Sequence, residues 1–130
     1  MRCKDIYDTA LSLIAESLDP ADTADYAERA PYLLAAFCSD NQDTDALMRA
    51  YYKKPAIEYG ETLYIPLEND FPLVARLATA ASLYVAAMLV IDDFPELSDR
   101  IYDRYCDSIC KIRDRLCGKS EKTVNKYFGS

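Results

Sequence analysis

From Phe71 to Ile91 the chain carries one charge, Arg76, and six alanines among mostly aliphatic neighbours. A stretch of this length and polarity has two homes, a bilayer or the centre of a bundle whose other helices cover it on every side. Thr79 and Ser82 interrupt it, acids flank it at Asp70 and at Asp92 and Asp93, and no Lys or Arg anchors either edge. The expectation is therefore a central helix over 71–91, capped by Asn69 or Asp70 with Pro72 in its first turn, and no membrane span.

The rest of the chain supplies the cover. Residues 4–18 place Ile6, Tyr7, Ala10, Leu11, Leu13, Ile14 and Leu18 on one half of a helix, which Pro20 stops. Asp22 or Thr23 then caps a second helix, on which Tyr26, Ala30, Leu33, Leu34 and Phe37 share a face while Glu28 and Arg29 point to water. Pro31 removes one backbone donor there, so a kink or two short helices are expected. A polar turn at 39–43 precedes a short third helix with Ala46, Leu47, Ala50 and Tyr51 as its apolar side. The last helix, 95–117, presents Leu97, Ile101, Tyr105, Ile109, Ile112 and Leu116 to the core and ends at Gly118.

Between the third and central helices the helical period is lost. The β-prone run at 62–65, closed by Pro66, reads as a lone strand or extended loop that needs a partner for its backbone, within this segment or on another chain. The fold class is thus mainly all-α: a bundle of about five helices around a central apolar helix, with a short extended segment near 62–65. One domain covers 1–118, as expected for 130 residues, and 119–130 forms a C-terminal tail.

Composition excludes several kinds of chemistry. There is no histidine, which removes the commonest general base near neutral pH and the commonest metal-ligand nitrogen. The three glycines stand far apart, leaving nowhere to build a phosphate-cradling loop. With 22 acidic against 15 basic residues, no basic stripe runs along the chain; the local run of Lys and Arg between 111 and 126 reads as a solvated helix end. The acid pairs Asp92/Asp93 and Asp103/Asp107 fit a helix corner and a wet helix face better than a catalytic or metal site. No catalytic residue and no cofactor are assigned, and no sequence-specific nucleic-acid binding is expected.

Five cysteines, an odd number with no signal-peptide layout before them, point to a reducing cytoplasm. Cys106, Cys110 and Cys117 share one helix face to within roughly 40°. A thiolate cluster with Cys3 or Cys38 is one reading of them; buried thiols are the favoured one. Tyrosine, eleven times present, is the interface signal, since its apolar body can be covered while its hydroxyl stays wet. The candidate interface comprises Tyr51, Tyr52, Tyr59, Tyr64 and Tyr102, with Tyr127 and Phe128 at the tip of the tail.

Taken in order, several blocks resemble a known kind of protein. They are Asp25-Tyr26-Ala27-Glu28-Arg29-Ala30-Pro31-Tyr32-Leu33-Leu34, then Pro66-Leu67-Glu68-Asn69-Asp70-Phe71-Pro72-Leu73, Leu83-Tyr84-Val85-Ala86-Ala87-Met88-Leu89-Val90-Ile91-Asp92, Glu96-Leu97-Ser98-Asp99 and Tyr102-Asp103-Arg104-Tyr105-Cys106. Over about residues 5–127 the chain resembles small structural proteins of tailed phages and prophages, of the kind found in head-morphogenesis gene clusters. The resemblance implies a head-tail connector or adaptor that assembles as a ring on the portal, with self or portal- and capsid-type proteins as partners. It assigns no role to any single residue, and the middle segment is short for a long channel loop. The alternative is a small cytoplasmic regulatory or ligand-binding helical bundle without catalysis, its pocket between the long helices.

Overall fold

The computed structural model describes the backbone of residues 1–17, 21 and 23–128, and side chains as far as Cys117 apart from Ser17. Five α-helices make up the bundle: α1 (Cys3–Leu13), α2 (Thr23–Asp40), α3 (Gln42–Tyr51), α4 (Ala78–Leu89) and α5 (Pro95–Phe128). Among the described residues there is no strand, only one isolated antiparallel bridge between Arg2 and Asp70. No helix there is long and apolar enough to cross a membrane.

α4 is the axis. Ala80, Ala81, Ala86 and Ala87 are fully buried, and α1, α2 and α5 all pack on it. Methyl-sized side chains bring neighbouring backbones close enough for polar ties. The Ser82 hydroxyl lies 3.3 Å from the Ile6 carbonyl, and the Ser98 hydroxyl donates to the Ala87 carbonyl at 2.8 Å. Arg29, expected to face water, is half-buried and reaches the carbonyls of Met88 and Leu89 at the end of α4. Those carbonyls have no partner inside their own helix, and a cation suits that end of the dipole.

The central helix is shorter than 71–91. Residues 71–74 are not helical, a 3₁₀ turn follows at Ala75–Leu77, and only then does α4 begin. The stretch before α4 is tied instead to distant parts of the chain: Phe71 N–H donates to the Met1 carbonyl at 2.8 Å, and Val74 N–H donates to the Asp45 carboxylate at 2.7 Å. Of the two readings of 62–65, a lone strand or an extended loop, the structure has the loop, and its backbone partner is on α2 instead of within the segment or on another chain: Ile65 N–H donates to the carbonyl of Pro31 at 3.1 Å.

Other boundaries shift too. The first helix ends at Leu13 and yields to a 3₁₀ turn at Ala15–Ser17; its last turn has no basic residue to complement the dipole. The expected stop at Leu18-Asp19-Pro20 and the cap at Asp22 lie outside the described residues. α2 runs through Pro31 as one helix, and its predicted face is inward, with Tyr26, Ala30, Leu34 and Phe37 buried. α5 continues through Gly118 to Phe128, because one interior glycine costs a helix only about 1 kcal/mol. The expected tail is therefore helical in its backbone.

Candidate interaction surface

α3 faces the opposite way from its apolar pattern. Thr44, Asp45 and Met48 are buried, while Ala46, Leu47, Ala50 and Tyr51 are exposed, Leu47 and Tyr51 each by 39%. An aliphatic and aromatic stripe thus points to solvent on a helix whose inner face holds a carboxylate.

That carboxylate explains the orientation. Asp45 is fully buried; its Oδ1 accepts Val74 N–H, while Oδ2 accepts Arg49 Nε at 2.7 Å and the Tyr59 hydroxyl. Arg49 then extends its two terminal nitrogens to the carbonyls of Pro55, at 3.4 Å, and Pro72, at 3.3 Å. One i, i+4 pair therefore holds both ends of the irregular segment between α3 and α4. At its start, Lys53 adopts a left-handed conformation at φ 55°, which lets Lys54 N–H reach back to Arg49 O at 2.8 Å and close α3. A second tie joins α3 to α5 where Arg113 donates to the Thr44 hydroxyl at 2.7 Å, and Asn41 donates to the Tyr105 hydroxyl at 3.1 Å.

The candidate tyrosines do not form one patch. Tyr51 and Tyr52 meet edge-on with centroids 4.9 Å apart, and the Arg76 guanidinium lies 4.7 Å above the Tyr52 ring. Tyr64 packs edge-on against Tyr32 at 5.0 Å, beside Leu63, which is 85% exposed. Tyr102 leans on buried Tyr105 at 5.4 Å. Tyr59 turns its hydroxyl inward to Asp45. The side chains of Tyr127 and Phe128 lie outside the described residues.

The phenols register this packing. Burial, then the hydrogen bond to Asp45, pushes Tyr59 from its ordinary value near 10 up to about 12, and burial likewise raises Tyr7, Tyr84 and Tyr105. A folded-state value above the unfolded one means that the stability tied to the neutral phenol is fully present below pH 10 and is lost as pH rises through about 12. The melting temperature is expected to fall steeply over that window, with late ionisation of these phenols visible in their ultraviolet absorbance. Tyr59→Phe is expected to make the decline shallower.

The cysteines divide. Cys3 and Cys38 are buried, which pushes their thiols up to about 11 and about 12 respectively. Cys106, Cys110 and Cys117 are exposed, correcting the expectation of buried thiols. The reason is that α5 is covered along one stripe only, by α4 and α3, and the cysteine face lies beside that stripe. Among the described residues no group of three His, Cys, Asp or Glu side chains is placed to hold a metal ion.

A groove of about 280 Å³ runs between the end of α3, the 3₁₀ turn before α4 and the middle of α5. Met48, Tyr52, Ile112 and Leu116 give it apolar walls, and Arg76, Lys111 and Arg115 line it with positive charge; among the described residues no carboxylate lines it. A neighbouring hollow shares Met48, Tyr52 and Arg76 and adds Lys54. Sequence reasoning missed this cluster because its cations come from three separate parts of an acidic chain. The four-residue spacing of Lys111 and Arg115 beside the apolar Ile112 and Leu116 is the one signal that was present. No protein-family model, curated protein or solved structure matches the chain.

Proposed function

We propose that this chain is an assembly protein of the phage head-tail connector or adaptor kind, working through contacts with protein partners. The partners are copies of itself or portal- and capsid-type proteins, in the host cytoplasm or the assembled virion. The observation that carries the reading is the outward stripe of α3. Exposed apolar stripes on a helix mark surfaces that another protein covers. Here Asp45 and Arg49 hold Leu47 and Tyr51 in that outward position, so the surface is prepared before any partner arrives. Preorganisation of this kind lowers the ordering cost of association. Three exposed thiols are also at home in a reducing compartment.

Light scattering coupled to size exclusion tests the reading. The mass is expected to rise above the 14.7 kDa of one chain with concentration. Leu47→Asp is expected to suppress that rise without lowering the melting temperature. A chain that stays monomeric at every concentration and carries a co-purified small molecule would instead favour the regulatory or ligand-binding bundle.

A further inference from the structure

The corner between α4 and α5 has the shape and sign that the groove lacks. Ile91 and Phe94 are exposed there by 44% and 41%. Asp92, Asp93 and Glu96 surround them, all exposed. Asp92 and Asp93 have no hydrogen-bond or ion-pair partner among the described residues. Two cations lie near among the described residues: Arg100 lines the same hollow as Asp93 and Glu96, and Arg29 is engaged by the carbonyls of Met88 and Leu89.

The corner is also stiff. Phe94 N–H donates to the Val90 carbonyl at 2.8 Å, Ser98 N–H to the Phe94 carbonyl at 2.9 Å, and the buried Ser98 hydroxyl fixes the turn to Ala87. Arg29 holds the last carbonyls of α4 just below. An apolar tip with an acidic collar is thus presented without needing to be ordered.

In the groove, Arg115 has no partner among the described residues, and Arg76 lies over the Tyr52 ring. Lys111 is held by Asp107 at 2.9 Å, in a pair so exposed that water screens it. Corner and groove lie roughly 25 Å apart along α5, too far for one rigid chain to bring its own two surfaces together. A second copy meets no such obstacle.

We propose that the acidic corner of one copy seats in the basic groove of the next, Phe94 and Ile91 against Tyr52, Ile112 and Leu116, and Asp92 and Asp93 against Arg76 and Arg115. Rested on the assembly reading above, this adds a contact between copies separate from the α3 stripe and makes it heterologous: each copy uses one surface to donate and another to receive, which builds rings or filaments and not closed pairs. Charged contacts at such an interface set register and weaken with salt.

Charge reversal tests it by sedimentation velocity at low and high salt. Asp92→Lys with Asp93→Lys, and separately Arg76→Glu with Arg115→Glu, are each expected to weaken self-association by about tenfold or more, and one chain carrying all four changes is expected to recover it. Lys54→Glu with Arg115→Glu serves as a second groove variant that leaves the Arg76–Tyr52 contact in place, and unchanged melting temperatures establish that the variants fold. Self-association that ignores every reversal overturns the corner-in-groove contact while leaving the assembly reading intact. Failure of the fourfold variant to recover overturns the corner as the occupant. Tight binding of a labelled DNA duplex, lost in the groove variants, assigns the groove to nucleic acid and overturns the proposal. A wild-type chain that never associates with itself overturns the contact between copies and leaves the assembly reading only its portal- or capsid-type partners.

Discussion

Asp45→Ala is expected to destabilise the fold by about 3–5 kcal/mol, the range for removing one partner of a buried ion pair. Three donors lose their acceptor at once: Val74 N–H, Arg49 Nε and the Tyr59 hydroxyl. The Val74 amide is buried, and alanine leaves it with no group to replace the carboxylate, which is the costly half of breaking a hydrogen bond. Arg49, whose side chain is only 15% exposed, is left charged without its counterion. For a domain of this size the melting temperature is expected to drop by about 10 °C or more. Asp45→Asn retains an oxygen for Val74 but offers Arg49 an amide donor or a weaker acceptor, so an intermediate loss is expected. Calorimetry on the three proteins checks the order. A loss below about 1 kcal/mol for the alanine variant would mean that water replaces the carboxylate and that the hub does not orient α3.

The hub also marks where sequence reasoning reached its limit. Long segments with a clean period were legible: α2 buries Tyr26, Ala30, Leu34 and Phe37 as its spacing requires, and Ile101 and Tyr105 of α5 face the core. The alanine-rich centre was legible for the same reason, since a helix apolar all round has to be covered. The buried face of α3 was not legible from its apolar residues, because a carboxylate satisfied by one backbone amide, one phenol and one guanidinium is buried in their place. Two of those three donors belong to the irregular segment that α3 itself holds, so no local window contains the arrangement. The start of the central helix was out of reach for a related reason, since Phe71 and Val74 are tied to Met1 and Asp45, residues far from them in sequence. The groove and the acidic corner are composites of this kind, each side chain unremarkable on its helix and informative only beside residues distant in sequence.

Phe37→Ala is the companion experiment, because it loads the apolar side of the structure and leaves the polar hub intact. Phe37 is fully buried, and its ring lies 5.9 Å from Tyr105, 6.0 Å from Tyr84 and 6.3 Å from Phe71. It therefore touches α5, α4 and the non-helical stretch before α4 from its place on α2. Truncation removes the transfer free energy of the ring and leaves a cavity that four rigid elements cannot collapse to fill, for an expected loss of about 3–5 kcal/mol. Tyr102→Ala provides the contrast: that ring also contacts Tyr105, at 5.4 Å, but it is 39% exposed, and its removal opens no cavity. A loss of less than about 1 kcal/mol is expected there. Urea denaturation with a common m-value for wild type and both variants separates the outcomes. Equal losses at the two positions would mean that the junction of α2, α4 and α5 is loosely packed, and a loosely packed junction cannot hold Ile91 and Phe94 at the fixed corner that the proposed contact between copies requires.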